Sequence, residues 1–146
     1  MAGVWKRILL PIQFSKKLPL TELQLARELA DTHGATILLL HVVPLSPAVE
    51  ADAGLAAQYY VEEQADSRMK LEKMAKSKLG GLDWKVYVTI GDPASTIIKQ
   101  ATKLKADLVI MATHGRGALG RFLLGSVAEH VVRRCPVKVL TVRPGS

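Results

Sequence analysis

Residues 107–135 read DLVIMATHGRGALGRFLLGSVAEHVVRRC: an apolar run, a connection rich in glycine and arginine, and an amphipathic segment. DLVIMA has the length and branching of a buried strand, and SVAEHVVRRC has the spacing of a short helix. Between them, THGRGALGRFLLGS carries four glycines and two arginines, Arg116 and Arg121. A plain strand-to-helix link takes about 2–6 residues. Each glycine beyond a turn's needs costs roughly 0.5–1 kcal/mol in backbone entropy. A connection this long and cationic implies a task at the end of the strand.

The same alternation runs outward in both directions. WKRILLPI reads as a strand, and LTELQLARELADTHG as a helix with Leu25, Ala26, Leu29 and Ala30 on one face, ended by Gly34. ATILLLHVV is a continuous apolar run of the kind covered by helices on both faces. PLSPAVEADAG follows as a two-proline loop free to move. A long helix is expected from Leu55 to Leu79, with Val61, Ala65 and Met69, then Leu71, Ala75 and Leu79, at four-residue spacing. DWKVYVTI, ASTIIKQATKL and PVKVLTV supply a third strand, a helix and a last strand around the central stretch. Regular βα alternation predicts an α/β fold: a doubly wound, five-stranded parallel sheet of order 3-2-1-4-5 with helices on both faces. The 146 residues are expected to form a single domain, 1–146. In that order, the loop after strand one, PIQFS, and the glycine loop after strand four meet at the reversal of strand order, where ligands bind in such sheets.

Composition limits the alternatives. No apolar stretch reaches the about 18–20 residues of a membrane span. MAGVWKRILLPI lacks the order of a secretory signal, so a cytoplasmic protein without membrane partners is expected. The lone Cys135 cannot form an internal disulfide and reads as a small apolar residue. Residues 1–66 hold 5 basic and 8 acidic side chains, and residues 67–146 hold 15 and 5, so an anion favours the second half. Many of those lysines lie in SRMKLEKMAKSKLG, a solvated helix face. With 5% aromatic residues and no recognition motif, nucleic acid is not the expected anion.

Three motifs compete for the glycine loop. Gly115, Gly117 and Gly120 spell G-x-G-x-x-G, but the dinucleotide fingerprint follows the first strand and needs an acid about 20 residues on, where Leu140 stands here. Gly115 and Gly120 have P-loop spacing, yet Arg121 and Phe122 occupy the Lys and Ser/Thr positions. The third places Gly125-Ser126 at a helix start, where main-chain N–H groups and the helix dipole favour phosphate. Ser126 and Glu129 also form S-x-x-E, a capping box that needs no ligand. Arg116, Arg121 and the lack of any acid between Asp107 and Glu129 tip the balance to an anion site.

At this point the chain resembles the universal stress proteins, small α/β domains of the adenine-nucleotide-binding superfamily. Gly115, nine residues, then Gly125-Ser126-Val127 match the latter part of the family's G-x-x-G-(nine)-G-[S/T] motif. PIQFS, HVV, GDP and CPVKVLTV agree in position across essentially the whole chain. The resemblance implies that ATP or another adenine nucleotide binds, with or without Mg. Main chain at Val42 would meet the adenine, Gly115 and its neighbours His114 and Arg116 would lie near ribose and phosphates, and Gly125, Ser126 and Val127 would hold the phosphates. Pro11, Gln13 and Ala112 complete the expected site. Ala112 stands where the first motif glycine is expected, and Gln13 where ATP-binding members carry Asp.

The resemblance further implies a homodimer through the last strand, a regulatory protein partner, and at most slow ATP hydrolysis. His33, His41 and His130 read as structural, only His114 falls in the site, and no triad or metal set can be assembled. Two functions follow: a stress-response sensor or regulator set by bound ATP, ADP or AMP, and a nucleotide-free dimeric adaptor of the same fold.

Overall fold

The computed structural model describes residues 4–14, 18–113 and 125–143. Five parallel strands, β1 (Arg7–Pro11), β2 (Thr36–Val43), β3 (Trp84–Ile90), β4 (Leu108–Ala112) and β5 (Lys138–Val142), form one sheet of order β3-β2-β1-β4-β5. The helices are α1 (Leu20–His33), α2 (Pro47–Glu50), α3 (Ala53–Lys78), α4 (Pro93–Lys103) and α5 (Ser126–Arg134). The doubly wound order expected from the sequence is present.

Side-chain alternation divides the core into two layers. Ile8, Leu10 and Ile12 of the first strand and its continuation, with Ile37, Leu39, Leu108 and Ile110, pack against α1 and α3. Leu9, Leu38, Leu40, Val42, Val109 and Met111 pack against α4 and α5 on the opposite face. Nine of the thirteen residues of β1 and β2 are buried and the other four are half-buried, as the apolar runs require for a sheet covered twice.

Three expectations need correction. On α1 the buried stripe is Glu22, Leu23, Ala26 and Ala30, while Leu25 and Leu29 flank it half-buried. On α3, Leu71, Ala75 and Leu79 are fully buried, but Val61 and Met69 are 66% and 70% exposed and Ala65 is exposed. PLSPAVEADAG is not an open loop. Ser46 caps α2, with Pro47 as its first residue, and Asp52 caps α3 through Gly54 and Leu55 N–H at 3.1 and 3.2 Å. The Tyr60 hydroxyl accepts from Ser46 N–H at 3.0 Å and fastens this segment to α3. Cys135 is half-buried at the end of α5.

Candidate functional site

The site begins where β1 and β4 part. The ladder between β1 and β2 runs through five positions to Pro11↔Leu40, but that between β1 and β4 has two, Ile8↔Leu108 and Leu9↔Val109. The cause lies in the direction of the main-chain groups. Ile12 N–H donates to the Leu40 carbonyl at 2.7 Å, so residue 12 points its polar groups at β2 and residue 11 points them at β4. Residue 11 is proline and has no N–H to give. At the other end the two strands are fastened: the Asp107 carboxylate accepts from Lys6 and Arg7 N–H, both at 2.8 Å, and Asp107 N–H donates to the Arg7 carbonyl at 2.7 Å. A sheet zipped at one end and parted at the other leaves a crevice at the carboxyl ends of β1 and β4, where the strand order reverses.

Five of the expected residues, Pro11, Gln13, Val42, Gly125 and Ser126, belong to the strand ends and helix start on this side of the sheet. Ile12 and Phe14 pack with the α1/α3 layer, so Pro11 and Gln13 alternate onto the opposite face, Gln13 exposed. Val42 is buried in the α4/α5 layer at 8% exposure. Leu40 accepts from Ile12 and Val43 accepts from Gly91 N–H at 3.0 Å, so the N–H and C=O of Val42 point past the end of β1. Gly125 is buried, with Ser126 exposed beside it.

Ala112 falls on the α1 side instead, half-buried at the end of β4. Among the described residues Lys105 is the only non-glycine with positive φ, at 54°, so position 112 makes no demand for glycine. Thr113 closes the strand, its N–H and hydroxyl both donating to the Val142 carbonyl at 2.8 and 3.3 Å. His114, Gly115 and Arg116 lie outside the described residues, as do Gly117, Gly120 and Arg121.

The start of α5 differs from the expected capping box. An N-cap residue must be extended, and that residue is Gly125, with φ −65° and ψ 159°; Ser126 is already helical. Gly125 has no side chain with which to cap this end, and no other described side chain caps it. Glu129 turns instead to Arg133 one helical turn on, at 3.0 Å. Its N–H donates to the Gly125 carbonyl at 2.9 Å, and the N–H groups of Ser126, Val127 and Ala128 precede this first intrahelical bond. The contrast is with α4, where Asp92 accepts from Ser95 N–H at 3.1 Å and from the Ser95 hydroxyl at 2.9 Å. Those bonds hold the Asp92 carboxyl below its ordinary value and make Asp92 the cap of α4.

An uncapped helix start presents aligned donors and a positive dipole end to an anion. The outward main chain of Val42 presents one donor and one acceptor, the pattern that reads the edge of a flat heterocycle. Among the described residues no group of three or more His, Cys, Asp or Glu side chains is placed to hold a metal ion. No helix among them is long and apolar enough to cross a membrane.

Two features escaped sequence reasoning, the partner of His41 and the burial of Glu22. The His41 ring bonds the Ile12 carbonyl through Nδ1 at 2.8 Å, tying β2 to the segment after β1. Its place with Ile37 and Leu39 on one face of β2 was legible, but a contact spanning 29 residues was not. Glu22 is buried in the first turn of α1, and desolvation pushes its carboxyl above the ordinary value. The sequence signals only a helix start there.

The fold and crevice define a class: doubly wound α/β domains with a ligand site at the carboxyl ends of the central strands. Within that class the chain belongs to the universal stress protein family, whose model matches residues 5–143. The chain is 34% identical to universal stress protein MJ0531 of Methanocaldococcus jannaschii over 94% of its own length and 83% of that protein's. Among solved structures, MJ0577 of the same organism superposes with a TM-score of 0.82 at 26% identity, covering 98% of this chain and 99% of that one. A universal stress protein solved in complex with cAMP superposes with a TM-score of 0.64 at 23% identity, covering 97% and 98%.

Proposed function

We propose that this chain, acting as one domain over residues 1–146, is a cytoplasmic stress-response protein that binds ATP, ADP or AMP at the β1–β4 crevice and acts as a nucleotide-dependent sensor or regulator. The observation that carries this reading is the start of α5, where Gly125 is the N-cap and no described side chain takes up the first N–H groups, together with the short β1–β4 ladder. Gly125, Ser126 and Val127 hold the phosphates there, and a Mg ion, where present, travels with them. The main chain of Val42 reads the adenine edge, while Pro11, Gln13 and Ala112 border the base and ribose. The loop residues His114, Gly115 and Arg116 belong to the same site by motif. The cAMP complex of a relative with this fold supports the choice of an adenine nucleotide. The nucleotide state is passed to a regulatory protein partner. The protein is a binding protein, with ATP hydrolysis at most slow.

Gln13 favours the second reading, a nucleotide-free dimeric adaptor, because it offers the ribose an amide in place of a carboxylate. Calorimetric titration with ATP, paired with thermal melting, separates the two. The sensor reading expects saturable heat and a rise in Tm, both lost in Gly125→Val, whose branched side chain fills the space where phosphate approaches the backbone. In the sensor, Gln13→Asp is expected to tighten binding. No heat and no shift in Tm at millimolar ATP would leave the adaptor standing.

A further inference from the structure

We propose that His41 is the positioning residue of the nucleotide site, fixing Gln13 by holding both of its neighbours; this rests on the reading of Gln13 as a nucleotide contact. Beyond Pro11 the chain leaves the ladder, and its last main-chain bond to β2 is Ile12 N–H to the Leu40 carbonyl. His41 extends the attachment. A carbonyl oxygen only accepts, so the 2.8 Å contact with Ile12 makes Nδ1 the protonated ring nitrogen. The same ring packs against Phe14, centroids 4.5 Å apart and planes tilted by 42°. The Lys70 ammonium of α3 lies 5.2 Å from the centroid of that Phe14 ring.

Ile12 and Phe14 pack in the α1/α3 layer, the face of β2 that His41 shares with Ile37 and Leu39, and Gln13 between the two held positions is exposed. One imidazole therefore fixes the main chain before Gln13 and the side chain after it. The Gln13 amide is thereby presented to the crevice without being touched by His41 itself. A role confined to core packing would call for an apolar residue here, with no donor aimed at the Ile12 carbonyl.

The test is a double-mutant cycle read by calorimetry with ATP, with Tm recorded for each variant. His41→Phe keeps a ring against Phe14 and removes the donor. It is expected to weaken ATP about 5- to 10-fold, the scale of one lost hydrogen bond. Gln13→Ala is expected to weaken ATP in the wild type and to have little further effect in the His41→Phe background. His41→Asn, whose amide N–H reaches near the Nδ1 position but which has no ring for Phe14, is expected to retain part of the affinity and part of the effect of Gln13→Ala. It carries the test should His41→Phe not fold. Wild-type affinity in His41→Phe, an undiminished effect of Gln13→Ala in that background, or a His41→Asn variant that loses Gln13 dependence would each overturn the proposal while leaving nucleotide binding intact. A wild type that does not bind ATP would overturn the binding reading and this inference with it.

Discussion

Glu22 is buried to 8% exposure, and desolvation raises its carboxyl above the ordinary 4.5, only partly offset by a hydrogen bond from its own main chain. Between the ordinary value and the raised one, the folded chain holds a proton that the unfolded chain has released. Stability therefore falls as pH rises through that window. Glu22→Gln removes the charge and keeps the shape, so a higher Tm is expected at pH 7, with the gain vanishing below the ordinary carboxylate value. Equal Tm values at pH 7 would show that the ionised carboxylate is well accommodated. Ser126 presents the opposite case, an exposed side chain at the first helical position rather than the cap. Its hydroxyl stabilises nothing in α5, so Ser126→Ala is expected to change stability by no more than about 0.5 kcal/mol. ATP affinity is expected to drop about 10-fold, because a hydrogen bond to phosphate is worth roughly 1.5–3 kcal/mol. A matching loss of stability would mean that the hydroxyl caps the helix after all.

The elements hold together at the end of the sheet remote from the site. Asp107 gathers the N–H groups of Lys6 and Arg7, and Arg7 Nε donates to the Leu104 carbonyl at 2.8 Å. Asp107→Ala leaves two strand donors without their acceptor and is expected to cost about 2 kcal/mol, read from the urea midpoint. Nucleotide affinity, set at the other end of the strands, is expected to persist in that variant. Periodicity made the strands legible and their alternation with helices made the sheet parallel, but the order 3-2-1-4-5 is one of the common doubly wound arrangements and no pattern in the sequence selects it. Nor could periodicity say which face of α3 meets the sheet. That helix of 26 residues is about 39 Å long. The seven residues of β3 span about 23 Å. Its upper half therefore meets only a small cluster, Ala56 and Tyr60 against Val43, Val88 and Ile90, and the Val61–Met69 stripe faces outward. The capping box failed for a related reason. S-x-x-E names a possible pair of bonds, but the turn into α5 gives the extended conformation to Gly125, and Ser126 falls one position late. Strand order placed PIQFS, with Pro11 and Gln13, at the reversal of the sheet, whereas Val42 was named through the resemblance to the family and by no pattern of its own.

At the scale of the whole molecule the sheet has two edges, and they are not equally covered. α3 packs along β3, whereas β5 pairs only with β4 and leaves Leu140 38% exposed beside Ile110, on the face opposite α5. An apolar edge of this kind invites a second strand. We propose that two copies pair through β5 about a two-fold axis, as expected for closed isologous assembly. Direction decides which substitutions test this. The Val142 carbonyl accepts from Thr113 N–H, so residues 142 and 140 point their polar groups at β4, and 141 and 139 point theirs outward. Leu140→Pro would therefore break the ladder to β4 and damage the fold. Val139→Asp places a charge against the α5 layer, where Val139 packs. Thr141→Pro is the informative variant: it removes an outward donor, and proline is tolerated on the free side of an edge strand. The wild type is expected to sediment as a dimer at micromolar concentration. Thr141→Pro is expected to sediment as a folded monomer, and Leu140→Asp to weaken the dimer by placing a charge in the apolar contact. A wild type that sediments as a monomer, or a Thr141→Pro variant that remains dimeric, would place the association elsewhere than this edge.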